Sequence, residues 1–236
     1  MTDPAPESIA PPAPSEPAPR LKDQPDWMYL IREFKELYRG TAGGSLKIRT
    51  HQKAVRERIN RMLGRDPAFV ARVPETKPVT AHLKRALDNG RREATEPTVR
   101  AIESIVTQLT WLYGYEKVPR GLTQKYAYAE IAGPVGPIYS EELILGLVLF
   151  APKCTYPAHS HDGLTESYYV LSGAVSENED GVWAPGSLIF NPPGRMHRIT
   201  VSDREPALLS YAWHGPADKL AHQKMVFTRA PARRKT

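Results

Sequence analysis

The amino-acid sequence predicts an α+β fold, in which a helical N-terminal region precedes a C-terminal β-barrel or jelly roll. Over about residues 25–120, apolar side chains recur every three or four positions, as they do in helices that bury one face. From Gly121 onward the period changes to two, and short apolar runs are separated by glycine and proline. We therefore expect helices over 25–120 and a barrel of short strands over 121–228.

Four helices are expected in the first region, because four apolar stripes each end at a glycine. In chain order, the stripes run from Trp27 to Tyr38 before Gly40, from about 46 to 63 before Gly64, through Val79, Leu83 and Leu87 before Asn89-Gly90, and from Thr95 through Tyr113 to Gly114. Their apolar faces are expected either to cover the barrel or to form a homodimer contact. In the second region, the apolar run Leu143–Pro152 predicts a strand that is buried on both faces.

Both ends of the chain are predicted to lie outside the core. Residues 1–24 contain seven prolines and no aromatic residue, so burial of apolar surface cannot offset the entropy of ordering this segment. We expect a disordered tail at 1–24. A basic tail is expected at 229–236, which holds four Lys/Arg residues and no Asp/Glu.

The net charge of +6 is unevenly distributed. Residues 1–120 hold 21 Lys/Arg and 15 Asp/Glu, whereas residues 121–228 hold 7 and 11. A basic helical half can attract nucleic acid, but we find no pair of predicted helices with the pattern of a helix-turn-helix motif. We therefore interpret the basic excess as a solvated helix face and expect no nucleic-acid partner.

The sequence also bears on the location of the protein. No run of about 18 apolar residues exists, so we expect no transmembrane helix and no membrane partner. The N-terminus is neither basic nor apolar enough for a secretory signal. The single cysteine, Cys154, excludes an internal disulfide and fits a reducing cytoplasm. These observations predict a cytoplasmic protein.

Two blocks in the barrel region have the spacing of a metal site. The first block is His159-Ser-His161, four residues, Glu166, six residues, Gly173, and the second is Gly186, five residues, Pro192-Pro193-Gly194, two residues, His197. Side chains two residues apart on a strand point the same way, so His159 and His161 share a face. With Glu166 and His197 from neighbouring strands, they would offer three nitrogens and one oxygen. Such ligands suit Fe2+, Zn2+, Mn2+ or Ni2+, and the donor types do not distinguish among these four metals.

These two blocks together resemble the two cupin motifs, over about residues 121–228. The chain departs from the motifs at Lys153, where glycine is usual, and at Val201, where asparagine is frequent. Neither position is a ligand. The resemblance implies a cupin β-barrel, that is, a double-stranded β-helix.

Tyr168 is the candidate catalytic residue. It follows Glu166 by two residues, so its phenol is expected to point toward the metal. A nearby cation lowers the pKa of a tyrosine from its ordinary value near 10, which would make Tyr168 a general base. The alternative is a packed tyrosine whose hydroxyl is bonded to a ligand carboxylate.

The set His-x-His, Glu-x-Tyr and His resembles the cupin dimethylsulfoniopropionate lyases, in which the position of Tyr168 is the catalytic base. The chain length and the long helical region are similar to the DddL type, although four residues separate His161 from Glu166 where some relatives have three. The resemblance implies a carbon–sulfur lyase that cleaves dimethylsulfoniopropionate to acrylate and dimethyl sulfide by β-elimination.

A sulfonium substrate needs an aromatic host, because aromatic faces attract such cations by roughly 0.5 to 2 kcal/mol each. By analogy with related lyases, Tyr156 and Trp213 are expected in the substrate pocket, and Tyr169 is a further candidate. Each of these residues could instead be ordinary barrel core. His214 would face away from Trp213 and is interpreted as structural. The other histidines outside the motifs are expected at the surface: His51, His82 and His222.

Two alternative functions stay open at this point. Another metal-dependent cupin enzyme, such as a dioxygenase or a sugar isomerase, would use the same ligands, and a dioxygenase would have no need of Tyr168 as a base. A transcription regulator with a cupin sensor would explain the basic helical half, but the missing helix-turn-helix pattern disfavours it.

Overall fold

The structure is a computed structural model that describes residues 18–40, 44–114, 118–119, 121–222 and a strand at 225–227. Most of the predicted N-terminal tail, residues 1–17, and the whole basic tail at 229–236 lie outside the described residues. Within the described ranges, no helix combines the length and the apolar character that a bilayer crossing requires.

The disorder predicted for residues 1–24 is wrong for its last residues. Leu21–Asp23 form a short 3-10 helix, and the side chain of Leu21 is completely buried in the core. Arg20 Nε lies 3.0 Å from Asp66 Oδ2. The buried leucine and the ion pairs of Arg20 and Lys22 with Asp66 hold these residues in place, although the proline-rich composition of the whole segment predicts disorder.

Four α-helices form the described part of the N-terminal region, as the four stripes predict. They are α1 (Pro25–Gly40), α2 (Leu46–Arg65), α3 (Leu83–Gly90) and α4 (Glu96–Ile105). Ser45 caps α2 by accepting a hydrogen bond from the Ile48 amide. Gly64, predicted to lie beyond the end of α2, lies inside it. The helix ends instead at Arg65, and its C-cap Asp66 adopts a positive φ of 46°.

The fourth helix is shorter than predicted. A 3-10 turn at Val106–Gln108 follows α4, and the chain is extended from Leu109. There Leu112 exchanges two backbone hydrogen bonds with Tyr128, of 2.7 and 3.0 Å. The apolar residues that continue the helical period up to Tyr113 therefore reach the core from an extended segment attached to the sheet.

Ten strands follow in the described part of the chain, together with one short helix, α5 (Ala217–Ala221). The strands are β1 (Tyr126–Gly133), β2 (Ile138–Tyr139), β3 (Ile144–Phe150), β4 (Thr155–His161), β5 (Thr165–Ser172), β6 (Val175–Glu177), β7 (Leu188–Asn191), β8 (His197–Val201), β9 (Ala207–His214) and β10 (Met225–Phe227). One sheet has the order β2-β1-β3-β9-β5-β7 and the other the order β10-β4-β8-β6.

The large sheet separates two apolar cores. Its outer face packs against the helices, with Leu145, Leu147 and Leu149 of β3 on that side. Its inner face lines the barrel interior, where Val148 and Phe150 lie. The prediction that this strand is buried on both faces is confirmed. Because helices and outer sheet face share one core, the helical region covers the barrel.

Candidate active site

The four predicted ligands meet in the barrel interior, between the two sheets. His159 and His161 lie on β4, Glu166 on β5, and His197 begins β8 directly opposite His159. One donor atom from each residue lies within 4.8 Å of the other three, and all four residues are buried. The spacing of the two motifs thus brings three imidazoles and one carboxylate to one point.

The hydrogen bonds of the imidazoles leave nitrogens available for a metal. His159 Nδ1 lies 2.9 Å from the Pro157 carbonyl and His197 Nδ1 lies 3.1 Å from the Arg195 carbonyl, so each ring donates from Nδ1. Each Nε2 then keeps its lone pair. His161 has no hydrogen-bond partner at either nitrogen among the described residues, although both nitrogens are buried.

Glu166 completes the donor set, and its carboxylate is ionised. Burial by itself would raise its pKa, but His161 and His197 hold it well below the usual range. His197 Nε2 lies 2.8 Å from Glu166 Oε2 without hydrogen-bond geometry. A divalent transition metal is bound by imidazole nitrogens with a free lone pair and by ionised carboxylates. These four buried residues offer such donor atoms, so they could hold one.

Both oxygens of Glu166 are held by side chains from neighbouring strands of the large sheet. Trp213 Nε1 donates to Oε1 over 2.7 Å, and Asn191 Nδ2 lies 3.4 Å from Oε2. The Asn191 amide also donates to Glu177 Oε1 over 2.7 Å. Residues that orient a metal ligand in this way affect both metal affinity and ligand geometry.

Asn191 and Glu177 were missed by the sequence analysis. Asn191 directly precedes the Pro192-Pro193-Gly194 turn, but only the register of β7 on β5 pairs it with Glu166. Glu177 lies in the other sheet, on β6. No spacing in the sequence reveals these long-range pairings.

Tyr168 lies in the barrel interior, as its spacing from Glu166 predicts. Its ring centroid is 6.3 Å from that of His197. Burial, and then the Glu166 carboxylate, raise the pKa of the Tyr168 hydroxyl well above its usual range. A divalent cation at the four ligands would act in the opposite direction, because a positive charge favours the phenolate.

Tyr156 and Trp213 both adjoin the ligand cluster. The ring of Tyr156 is 5.0 Å from that of His159, and the ring of Trp213 is 4.3 Å from that of His161. Tyr211, which the sequence analysis did not select, lies 5.6 Å from Trp213 and is also buried. These three aromatic rings therefore lie near the four ligands in the barrel interior.

Two sequence-based assignments are wrong. Tyr169 cannot line the substrate pocket, because it alternates with Tyr168 and packs on the outer face of the sheet, 5.1 Å from the ring of Tyr38. His51, expected at the surface, is buried beneath α2, with Nε2 2.8 Å from Ser167 Oγ. His214 faces away from the barrel interior as predicted and lies 3.0 Å from His51 Nδ1.

Comparisons with known proteins agree with this geometry. A family profile described as dimethylsulfoniopropionate lyase matches residues 51–209. A curated protein of Cereibacter sphaeroides that carries the provisional name dimethylsulfoniopropionate lyase DddL is 56% identical over 202 residues. That match spans 85% of this chain and 87% of the relative.

Solved structures extend the likeness to the fold. A structure from work on the dimethylsulfoniopropionate lyases RdDddP and RnDddQII superimposes with a TM-score of 0.64 at 18% identity, covering 87% of this chain and 99% of that chain. The lyase DddQ from Ruegeria pomeroyi DSS-3 gives 0.62 at 18% identity, with coverages of 86% and 96%. At such identity the likeness concerns the fold alone. The profile and the 56% identical relative show that the chain belongs to the dimethylsulfoniopropionate lyase family of carbon–sulfur lyases.

Proposed function

We propose that the protein is a metal-dependent lyase that converts dimethylsulfoniopropionate to acrylate and dimethyl sulfide by β-elimination. The observation that carries the proposal is a cluster of four buried candidate metal ligands in the barrel interior, into which Tyr168 also points. Family membership supports the choice of substrate. The single buried cysteine, Cys154, supports a cytoplasmic location.

The reaction needs one base and one electrophile. A divalent transition metal held by His159, His161, Glu166 and His197 would act as a Lewis acid on the substrate carboxylate and acidify the adjacent C–H bond. Tyr168, as phenolate, takes that proton on its hydroxyl oxygen. The electron pair of the C–H bond forms the double bond of acrylate, and the pair of the Cβ–S bond leaves with sulfur.

The leaving group explains why one base and one electrophile are sufficient. Dimethyl sulfide departs as a neutral molecule, so no acid has to protonate it. Before it leaves, the cationic sulfonium group requires a host, and the faces of Tyr156, Tyr211 and Trp213 line the barrel interior near the ligands. Aromatic faces bind a desolvated cation by up to about 2 kcal/mol each.

Proton NMR under nitrogen tests the proposed reaction. Protein reconstituted separately with Fe2+, Zn2+, Mn2+ or Ni2+ is incubated with dimethylsulfoniopropionate, beside a chelated control. We expect acrylate and dimethyl sulfide in equal amounts with at least one of the four metals and neither product after chelation. A reaction that requires oxygen, or one that yields a product other than acrylate, would contradict the proposal and favour another cupin chemistry.

A further inference from the structure

A chain of four hydrogen-bonded side chains lies on the outer face of the sheet, directly behind the ligand cluster. The Tyr38 hydroxyl on α1 lies 2.8 Å from Ser167 Oγ on β5. Ser167 Oγ lies 2.8 Å from His51 Nε2 on α2, and His51 Nδ1 lies 3.0 Å from His214 Nε2 on β9. Tyr38, His51 and Ser167 are buried, so no water competes for the two bonds at Ser167, and the bond from His51 to His214 is partly buried.

These hydrogen-bonded side chains lie directly behind the residues of the candidate site. Ser167 is the residue between Glu166 and Tyr168, and its side chain points to the helices while theirs point into the barrel. His214 follows Trp213, which donates to Glu166. In the register of β5 and β9, Glu166 pairs with Trp213 and Thr165 with His214. His51 thus joins the backs of two strands whose fronts carry the metal ligand and its hydrogen-bond donor.

Each of the four hydrogen-bonded side chains has a defined role as donor or acceptor. Burial, and then His214, lower the pKa of His51 to about 3, while burial, and then Arg58, lower that of His214 to about 4, so both rings are neutral. A neutral imidazole donates once and accepts once. Within these three bonds, only one direction gives both the Tyr38 and the Ser167 hydroxyl an acceptor: Tyr38 to Ser167, Ser167 to His51, and His51 to His214.

We propose that His51 is a positioning residue for the metal site. Through Ser167 it fixes the segment of β5 that projects Glu166 and Tyr168, and through His214 it fixes the segment of β9 that projects Trp213. The helical region then sets the geometry of the active site besides covering the barrel. A displacement of about 1 Å at a reacting group can lower a rate on the order of a hundredfold. Loss of the hydrogen bonds that hold β5 and β9 in place is therefore expected to slow the reaction.

The test compares two changes at His51 with a control that removes another hydrogen bond between the helical region and β5. His51→Leu removes both hydrogen bonds, whereas His51→Gln keeps an amide that can donate and accept. The control is Thr95→Val at the start of α4, which deletes a buried hydrogen bond of 2.7 Å from Thr95 Oγ1 to the Leu171 carbonyl of β5. That bond also joins the helical region to β5, but it lies five residues beyond Glu166.

The readouts are Zn2+ affinity by competition with a chromogenic chelator, melting temperature, and kcat and KM for dimethylsulfoniopropionate in metal-saturated protein. For His51→Leu we expect Zn2+ affinity and kcat to fall about tenfold or more, with KM within about twofold. His51→Gln should recover most of both losses. Thr95→Val should lower the melting temperature while Zn2+ affinity and kcat stay within about twofold of wild type.

Equal thermal losses in His51→Leu and Thr95→Val, with Zn2+ affinity and kcat unchanged in both, would overturn the proposal and leave His51 as a packing residue. Should His51→Leu fail to fold, Ser167→Ala carries the same comparison, because it removes the hydroxyl and keeps the imidazole. The kinetic readout rests on the proposed function, whereas the Zn2+ affinity does not. The ratio of Zn2+ affinities therefore decides the question even if the protein proves to have another substrate.

Discussion

Glu166 is the residue on which the candidate site depends most. Its carboxylate is completely buried, and its two oxygens approach His161, His197, Trp213 and Asn191. Burial of a carboxylate costs free energy unless the carboxylate is paired. Here imidazole, indole and amide nitrogens together provide the partners. The indole of Trp213 consequently has a second role besides the aromatic face that the sequence suggests, because its N–H orients a candidate metal ligand.

Trp213→Phe separates these two roles. The phenyl ring keeps an aromatic face beside His161 but loses the N–H bonded to Glu166, so we expect the affinity for Zn2+ to fall on the order of tenfold and KM to change little. Trp183→Phe is the matched control, because the buried Trp183 N–H has no hydrogen-bond partner among the described residues. A raised KM with unchanged Zn2+ affinity in Trp213→Phe would show instead that Trp213 acts through the substrate alone.

At the scale of elements, β3 makes room for the aromatic lining of the barrel. Gly146 pairs with Tyr211 on β9, and the Tyr211 side chain lies over it. A Cβ at position 146 would lie 2.5 Å from three atoms of that side chain. The glycine is therefore required by the close approach of a side chain on the neighbouring strand.

Gly146→Ala should be destabilised by about 1 to 3 kcal/mol, because the added methyl group overpacks the barrel interior and displaces Tyr211. Gly64→Ala provides the contrast: Gly64 lies inside α2, and an added Cβ there would meet nothing within 4 Å, so alanine should stabilise the protein by up to about 1 kcal/mol. Urea unfolding measures both changes. Equal stability of Gly146→Ala and wild type would contradict the packing described for Tyr211.

At the scale of the whole molecule, the contact between helices and barrel includes two neutral histidines, the buried His51 and the half-buried His214. The groups that face His51 are Tyr38 on α1, Arg58 on α2 and His214 on β9. An unfolded histidine has a pKa near 6.5. As the pH falls below that value, the unfolded chain binds protons that the folded protein does not, so the free energy of unfolding decreases.

This linkage predicts the effect of His51→Gln on acid stability. The folded-state pKa of His51 is about 3, so the loss attributable to it begins near pH 6.5 and continues to about pH 3. Between pH 6.5 and 4, the free energy of unfolding of wild type should decrease by about 3 kcal/mol more than that of the variant. Denaturant unfolding at each pH measures the difference, and parallel pH profiles for the two proteins would exclude a buried neutral His51.

Local patterns in the sequence predict the elements and the four ligands, because strand alternation and glycine turns are properties of neighbouring residues. The partners of Glu166 could not be predicted, since Trp213 and Asn191 reach it only through the pairing of β5 with β9 and β7. For the same reason the buried position of His51 could not be predicted, because His51 is distant from both motifs in sequence. The end of α4 was misplaced because apolar residues at helical spacing, up to Tyr113, also fit an extended segment that joins the sheet.

Release of dimethyl sulfide, measured by headspace gas chromatography, tests the account of metal and base most directly. The samples are metal-loaded wild type, chelated wild type, and Tyr168→Phe with its metal content measured. We expect release that depends on the metal and falls about a hundredfold or more in Tyr168→Phe, while the metal content of the variant equals that of wild type. No release from metal-loaded wild type, or full activity of Tyr168→Phe, would contradict the account.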